Sequence, residues 1–102
     1  MFIQTQETPN PNSLKFILDK QEICSEPVEY NDGQENINSE LAKKLLRIDG
    51  VDKVLFNKNF ISINKSKFTW DQLKATILQE ISNFMSSGIP ILDTVNEVDE
   101  IN

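Results

Sequence analysis

The 102-residue sequence has no histidine, a single cysteine (Cys24), three glycines and four prolines. Each shortage excludes something. Without histidine there is no Ser-His or Cys-His catalytic pair and no usual zinc ligand set. One thiol cannot close an internal disulfide, which suits a reducing compartment. No loop has the Asp-x-Asp/Asn-x-Asp/Asn-Gly spacing of a calcium site. No apolar run approaches the ~20 residues of a membrane helix. The opening MFIQTQE lacks the basic and apolar regions of a secretion signal. The sequon Asn64-Lys65-Ser66 then reads as chance, because glycosylation requires the secretory route.

What is present fits one domain with one core. Hydrophobic residues make up 38% and charged residues 25%, with a net charge of −6 that argues against nucleic-acid binding. The charge is unevenly spread. Residues 19–40 carry seven acids and one lysine, residues 41–74 eight bases and three acids, and residues 93–102 four acids and no base. The simplest meaning is a set of solvated faces of opposite sign, with one basic side.

The apolar spacing predicts the elements. MFIQTQE alternates as a half-buried strand, with Phe2, Gln4 and Gln6 opposed to Ile3, Thr5 and Glu7. LKFIL follows, with Leu14, Phe16 and Leu18 on one face and Ile17 on the other. PVEYN reads as a short edge strand with Pro27 at its start. SELAKKLLRIDG reads as a helix capped by Ser39, striped by Leu41, Leu45 and Ile48, and stopped by Gly50. VDKVLF and FISIN form a hairpin around Asn57-Lys58-Asn59, where asparagine tolerates positive φ. The last helix is the clearest. Thr69 and Gln72 suit a capping box, Phe68 and Leu73 a hydrophobic staple, and Trp70, Leu73, Ile77, Ile81 and Phe84 one buried stripe. Gly88 ends it and Pro90 blocks a restart. The fold expected is a two-layer α+β domain over residues 1–92, with a largely antiparallel sheet and two helices packed on one face. Ile91 and Leu92 pack back on the core, and residues 93–102 read as an acidic tail.

The segment TPNPNS spends two of the four prolines between two strands. Pro9 and Pro11 fix their own φ and push Thr8 and Asn10 away from helical ψ. Asn10 and Asn12 hydrogen-bond their own backbone in sharp turns. The connector is therefore stiff and wide. Two readings stand: it only sets the register of two strands, which is the simpler, or it is a pre-ordered surface recognised at low entropic cost.

Here the sequence resembles a known family. QTQETPNPNSLKF, SELAKKLLRIDGVDKVLF, NFISINK, TWDQLKATILQEI and SSGIPIL look like the N-terminal domain of Nfu-type (NifU-like) iron–sulfur cluster scaffold proteins, from Met1 to about Leu92. The resemblance implies an interaction domain. Such proteins carry a [4Fe–4S] cluster on a Cys-x-x-Cys motif of a second, C-terminal domain, shared by two protomers, and deliver it to apoproteins. No such pair occurs here, and a cluster normally needs four thiolates where this sequence has one. Two positions depart from the family pattern: Asp19-Lys20 stand where Pro-Gly is common, and Glu40 where proline is frequent.

The other candidates weigh against chemistry. Cys24 lies in the acidic EICSE, where neighbouring carboxylates oppose the thiolate. Trp70 and Phe84 read as core, and Asp49 and Asp52 are no acid–base pair. Phe56 and Phe60 flank the hairpin turn. Either both pack beneath the helices, or one is exposed beside Lys58 as a contact point. The expectation is thus a monomeric, non-enzymatic docking domain that binds no cofactor itself. Its partners are the cluster-binding C-terminal domain and apo iron–sulfur clients, without nucleic acid or membrane. Candidate contacts are Pro9, Asn10, Pro11, Asn12, Phe56, Lys58 and Phe60. The expected compartment is bacterial cytoplasm, with mitochondrial matrix as the alternative. The competing reading is a stand-alone small-ligand-binding or regulatory α+β domain.

Overall fold

The computed structural model describes residues 3–18, 22–89 and Ile91. The readings of Phe2, Asp19-Lys20, Pro90, Leu92 and the acidic segment 93–102 lie outside the described residues. Five strands and two helices follow in the order β1 (Ile3–Glu7), β2 (Ser13–Leu18), β3 (Val28–Asn31), α1 (Glu40–Leu46), β4 (Val51–Phe56), β5 (Phe60–Lys65) and α2 (Trp70–Ser87). The strands form one antiparallel sheet ordered β1-β2-β5-β4-β3. This is the expected α+β architecture.

Alternation decides which face is inside. Leu14 and Phe16 pair across the sheet with Ile63 and Ile61, and these with Val54 and Phe56, while Leu18 continues the same face of β2. All are buried, together with Tyr30 on β3. The helices contribute Leu41, Ala42 and Leu45 from α1 and Leu73, Ile77, Ile81 and Phe84 from α2. Each buried leucine, isoleucine or phenylalanine contributes about 1.5–3 kcal/mol when fully removed from water. The opposite sheet face carries Gln4, Gln6, Lys15, Ser62 and Lys53, none of them buried.

One irregularity makes the pattern work. Val51 and Val54 are three residues apart, so strict alternation would put them on opposite faces. The register shifts between Val51 and Lys53, leaving Asp52 as an extra residue, and both valines reach the core. The Asp52 carbonyl accepts from the Asp32 N–H at 2.9 Å, which ties the end of β3 to the bulge.

The caps follow the sequence signals. Ser39 Oγ accepts from the Ala42 N–H at 3.1 Å, starting α1. Ser39 is fully buried, and its hydroxyl donates to the Ile91 carbonyl. Thr69 Oγ1 accepts from the Gln72 N–H at 3.2 Å and Gln72 Oε1 from the Thr69 N–H at 2.9 Å, a complete capping box. Gly88, at φ +80°, ends α2.

Three local expectations are corrected. Helix α1 stops at Leu46 with Arg47 as its cap, so Gly50 is not the helix stop. It turns the chain into β4 at φ +102° instead. The hairpin asparagines do not take positive φ; among the described non-glycine residues only Asn36 and Phe68 do. The turn is held by the Asn57 N–H donating to the Phe60 carbonyl and by the Lys58 N–H donating to Asn57 Oδ1. Phe68 is no buried staple: it is 44% exposed, with one ring edge over Gly50.

Gly50 has two reasons to be glycine. A Cβ there would lie 2.8 Å from Phe68 Cδ2 and 2.9 Å from the Lys67 carbonyl oxygen. Gly50→Ala is expected to cost about 1–3 kcal/mol, since strain and contact act together. Urea denaturation reads this as a lower midpoint at unchanged slope. An unchanged midpoint would contradict the assignment.

Candidate functional site

The Pro-Asn connector folds on itself and then onto α2. The Ser13 N–H donates to the Asn10 carbonyl at 2.9 Å, closing a β-turn with Pro11 in second place, where a fixed φ is favourable. The Asn12 N–H donates to Asn10 Oδ1 at 3.0 Å, an Asx turn. Thr8 Oγ1 donates to the Asn10 carbonyl and accepts from the Asn10 N–H at 3.1 Å. The Asn12 carbonyl accepts from the Lys65 N–H at 2.9 Å. Pro9, Asn10, Pro11 and Asn12 all remain exposed on this rigid frame.

Trp70 holds the loop to the helix. Its indole Nε1–H donates to the Pro11 carbonyl at 3.0 Å across 59 residues of chain. The ring is partly buried rather than core, and Lys65 Nζ lies 5.8 Å from its centroid. Between the loop, the helix-side face of β1 and the start of α2 lies an open cleft of about 510 Å³. Thr5 and Glu7 line one side, Trp70, Asp71 and Lys74 the other, and Pro9 to Pro11 one end.

The expected contact residues do not form one surface. Residues 9–12 share the β1–β2 turn. Lys58 is exposed at the β4–β5 turn, and Ile17 pairs with Phe60 while Ser13 pairs with Asn64. The two turns are therefore at opposite ends of β2, roughly 17 Å apart at 3.4 Å per residue. Phe60 is half-buried on the open sheet face, with Lys15 Nζ 4.6 Å from its ring centroid. Phe56 is corrected outright. It is fully buried, edge-on to Tyr30 at 5.4 Å between centroids, and offers nothing to a partner. Sequence reasoning missed Glu7, Trp70, Asp71 and Lys74. An available signal was Trp70 at the first position of α2, where an indole N–H demands an acceptor.

The donor set does not fit an iron–sulfur cluster. Cys24 is the sole thiol of the sequence, it is buried, and it donates to the Asn57 carbonyl at 3.4 Å. Burial pushes its pKa up and the Glu22 charge adds to this, while a backbone hydrogen bond at Glu26 opposes both. Burial therefore outranks the neighbouring carboxylates as the cause. Among the described residues no three His, Cys, Asp or Glu side chains are grouped to hold a metal ion. Nor is any helix among them long and apolar enough to cross a membrane.

Two outcomes follow. Trp70→Phe keeps the ring and removes the donor, and is expected to cost about 1 kcal/mol. Amide exchange at Asn12 and Ser13 should accelerate; unchanged exchange would remove Trp70 as the clamp. For Cys24, a folded-state pKa above the unfolded value means that the native state keeps its proton longer. Its stability contribution is complete below the unfolded pKa, about 8.5, and is lost as pH rises through the folded value. Cys24→Ala should flatten that alkaline decline in a denaturation series, and an identical decline in both proteins would refute it.

Comparison with known proteins agrees with this fold. The family model described as "Scaffold protein Nfu/NifU N terminal" matches residues 3–88. The human "NFU1 iron-sulfur cluster scaffold homolog, mitochondrial" is 42% identical over 94 residues, covering 90% of this chain and 37% of that protein. "NifU-like protein 5, mitochondrial" of Arabidopsis thaliana is 40% identical over 92 residues, covering 89% and 34% respectively. The solution structure of a NifU-like protein from Saccharomyces cerevisiae superposes with a TM-score of 0.79 at 26% identity, over 91% of this chain and 85% of that one. The chain spans about a third of the length of these curated relatives. It belongs to the Nfu/NifU N-terminal domain family.

Proposed function

We propose that this chain is a non-catalytic docking domain of an iron–sulfur cluster scaffold. It supports cluster assembly and delivery to apoproteins, while the cluster thiolates belong to a separate Cys-x-x-Cys domain. The observation that carries the reading is the exposed Pro9–Asn12 surface. It is pinned by Trp70 and by its own turns, so a partner meets it without an ordering cost. The solitary, buried Cys24 supports a division of labour in which another domain holds the metal. The relatives named as mitochondrial support the matrix as the working compartment. The domain acts as a monomer.

One observation favours a second reading. The cleft's volume of about 510 Å³ falls within the range of small-ligand pockets. Docking is preferred because the cleft is open and three charged side chains, Glu7, Asp71 and Lys74, line it.

The test is a titration of the isotopically labelled chain with a Cys-x-x-Cys scaffold domain and, separately, with an apo iron–sulfur client. Amide shifts at Asn10 and Asn12 and at the Trp70 indole are expected. A spectrum unmoved by saturating amounts of both proteins would end the docking reading. Stabilisation by a small metabolite without any protein binding would install the second.

A further inference from the structure

The cleft lies beside a sheet edge. Strand β1 is last in the order, and among the described residues no strand pairs with its outer side. The hydrogen-bond phase shows which groups lie there. The Leu18 N–H donates to Asn59, next to β5, at 2.9 Å. Alternation along β2 then turns Lys15 and Ile17 towards β1. Their partners Gln6 and Gln4 bond inwards, so Ile3, Thr5 and Glu7 direct their backbone N–H and C=O groups away from the sheet. Thr5 and Glu7 are also the β1 residues whose side chains line the cleft.

The two edges of the sheet differ. On the far side, β3 has four residues, follows Pro27 directly, and carries Glu29, whose Oε2 lies 3.7 Å from Lys53 Nζ. A short strand, a proline and charge are the usual guards against added strands. From Ile3 to Gln6, β1 carries no proline and no charge. Charge enters only at Glu7, which lines the cleft together with Asp71 of α2. Neither acid has an ion pair among the described residues. With Lys74 the cleft lining is net negative, and so is the whole chain at −6.

We infer that β1 accepts an extended, basic peptide segment of a partner protein as a sixth strand, with a lysine or arginine side chain entering the cleft between Glu7 and Asp71. This rests on the docking reading and names its chemistry. Backbone bonds to Thr5 supply affinity, alternate side chains enter the cleft, and the Pro-Asn loop closes its end. Opposite charge accelerates encounter.

The probe is a synthetic peptide of alternating threonine and lysine, beside a control with glutamate for lysine. The lysine peptide should shift the Trp70 indole resonance and slow exchange of the Thr5 and Glu7 amides by about tenfold at saturation. Its affinity should fall with added salt, and with Glu7→Gln combined with Asp71→Asn. Thr5→Pro should abolish binding, with the circular dichroism and midpoint of the variant measured alongside. Should that variant unfold, the charge variants decide alone. Equal binding of both peptides, binding without protection of β1, or protection that tracks dimer formation in sedimentation would each overturn the inference. The docking reading fails separately: a scaffold domain that shifts Asn10 and Asn12 while the Thr5 amide exchanges freely preserves docking and removes the added strand.

Discussion

Pairing of β2 with β5 joins the two halves of the molecule. Phe16 lies across from Ile61 and Leu14 from Ile63, with about 45 residues of chain between the partners. Loop closure of that length is entropically unfavourable, and apolar burial across the pair offsets it. The other strands are hung on this seam. Strand β1 reaches the sheet only through β2, and β4 and β3 only through β5. The Pro-Asn loop enters β2 at Ser13, and its last carbonyl is fixed by Lys65 at the end of β5. The stiffness of this exposed loop is therefore borrowed from the central strands as much as from its prolines.

That surface illustrates how local and distant constraints combine. Proline and asparagine supply the turn geometry within five residues, without help from the rest of the chain. The placement of the turn against α2 needs Trp70, which is remote in sequence and reaches the loop through one hydrogen bond. Surface ion pairs contribute less. Lys67–Asp49 and Lys43–Glu40 are exposed, and pairs of that kind are worth at most about 1 kcal/mol.

Much of the fold was legible from periodicity and caps. The stripes of β2 and α2, the capping box at Thr69, the N-cap at Ser39 and the edge position of β3 each had a short-range signature. Misses arose where distant contacts overruled local preference. Gly50 resembled a helix stop but is required by the approach of Phe68 and Lys67. Val51 broke the two-residue period, and only the bulge at Asp52 reconciles it with the core. Phe56 and Phe60 looked equivalent on either side of a turn, yet pairing parity sends one inside and leaves the other on the open face. The cleft was not legible, because Glu7 and Asp71, distant in sequence, line one cavity only once the fold has placed β1 and α2.

Ser39 joins two parts of the fold with one hydroxyl. Its buried hydroxyl grips the Ile91 carbonyl while its oxygen caps α1. Helix α2 starts beside the cleft and runs 18 residues, about 27 Å, before the chain reaches that grip. Ile91 is thus anchored on α1, with the length of α2 between this anchor and the Pro-Asn loop. The two ends of α2 are therefore fixed independently, the first by the Trp70 indole on Pro11 and the last through Ile91 on Ser39.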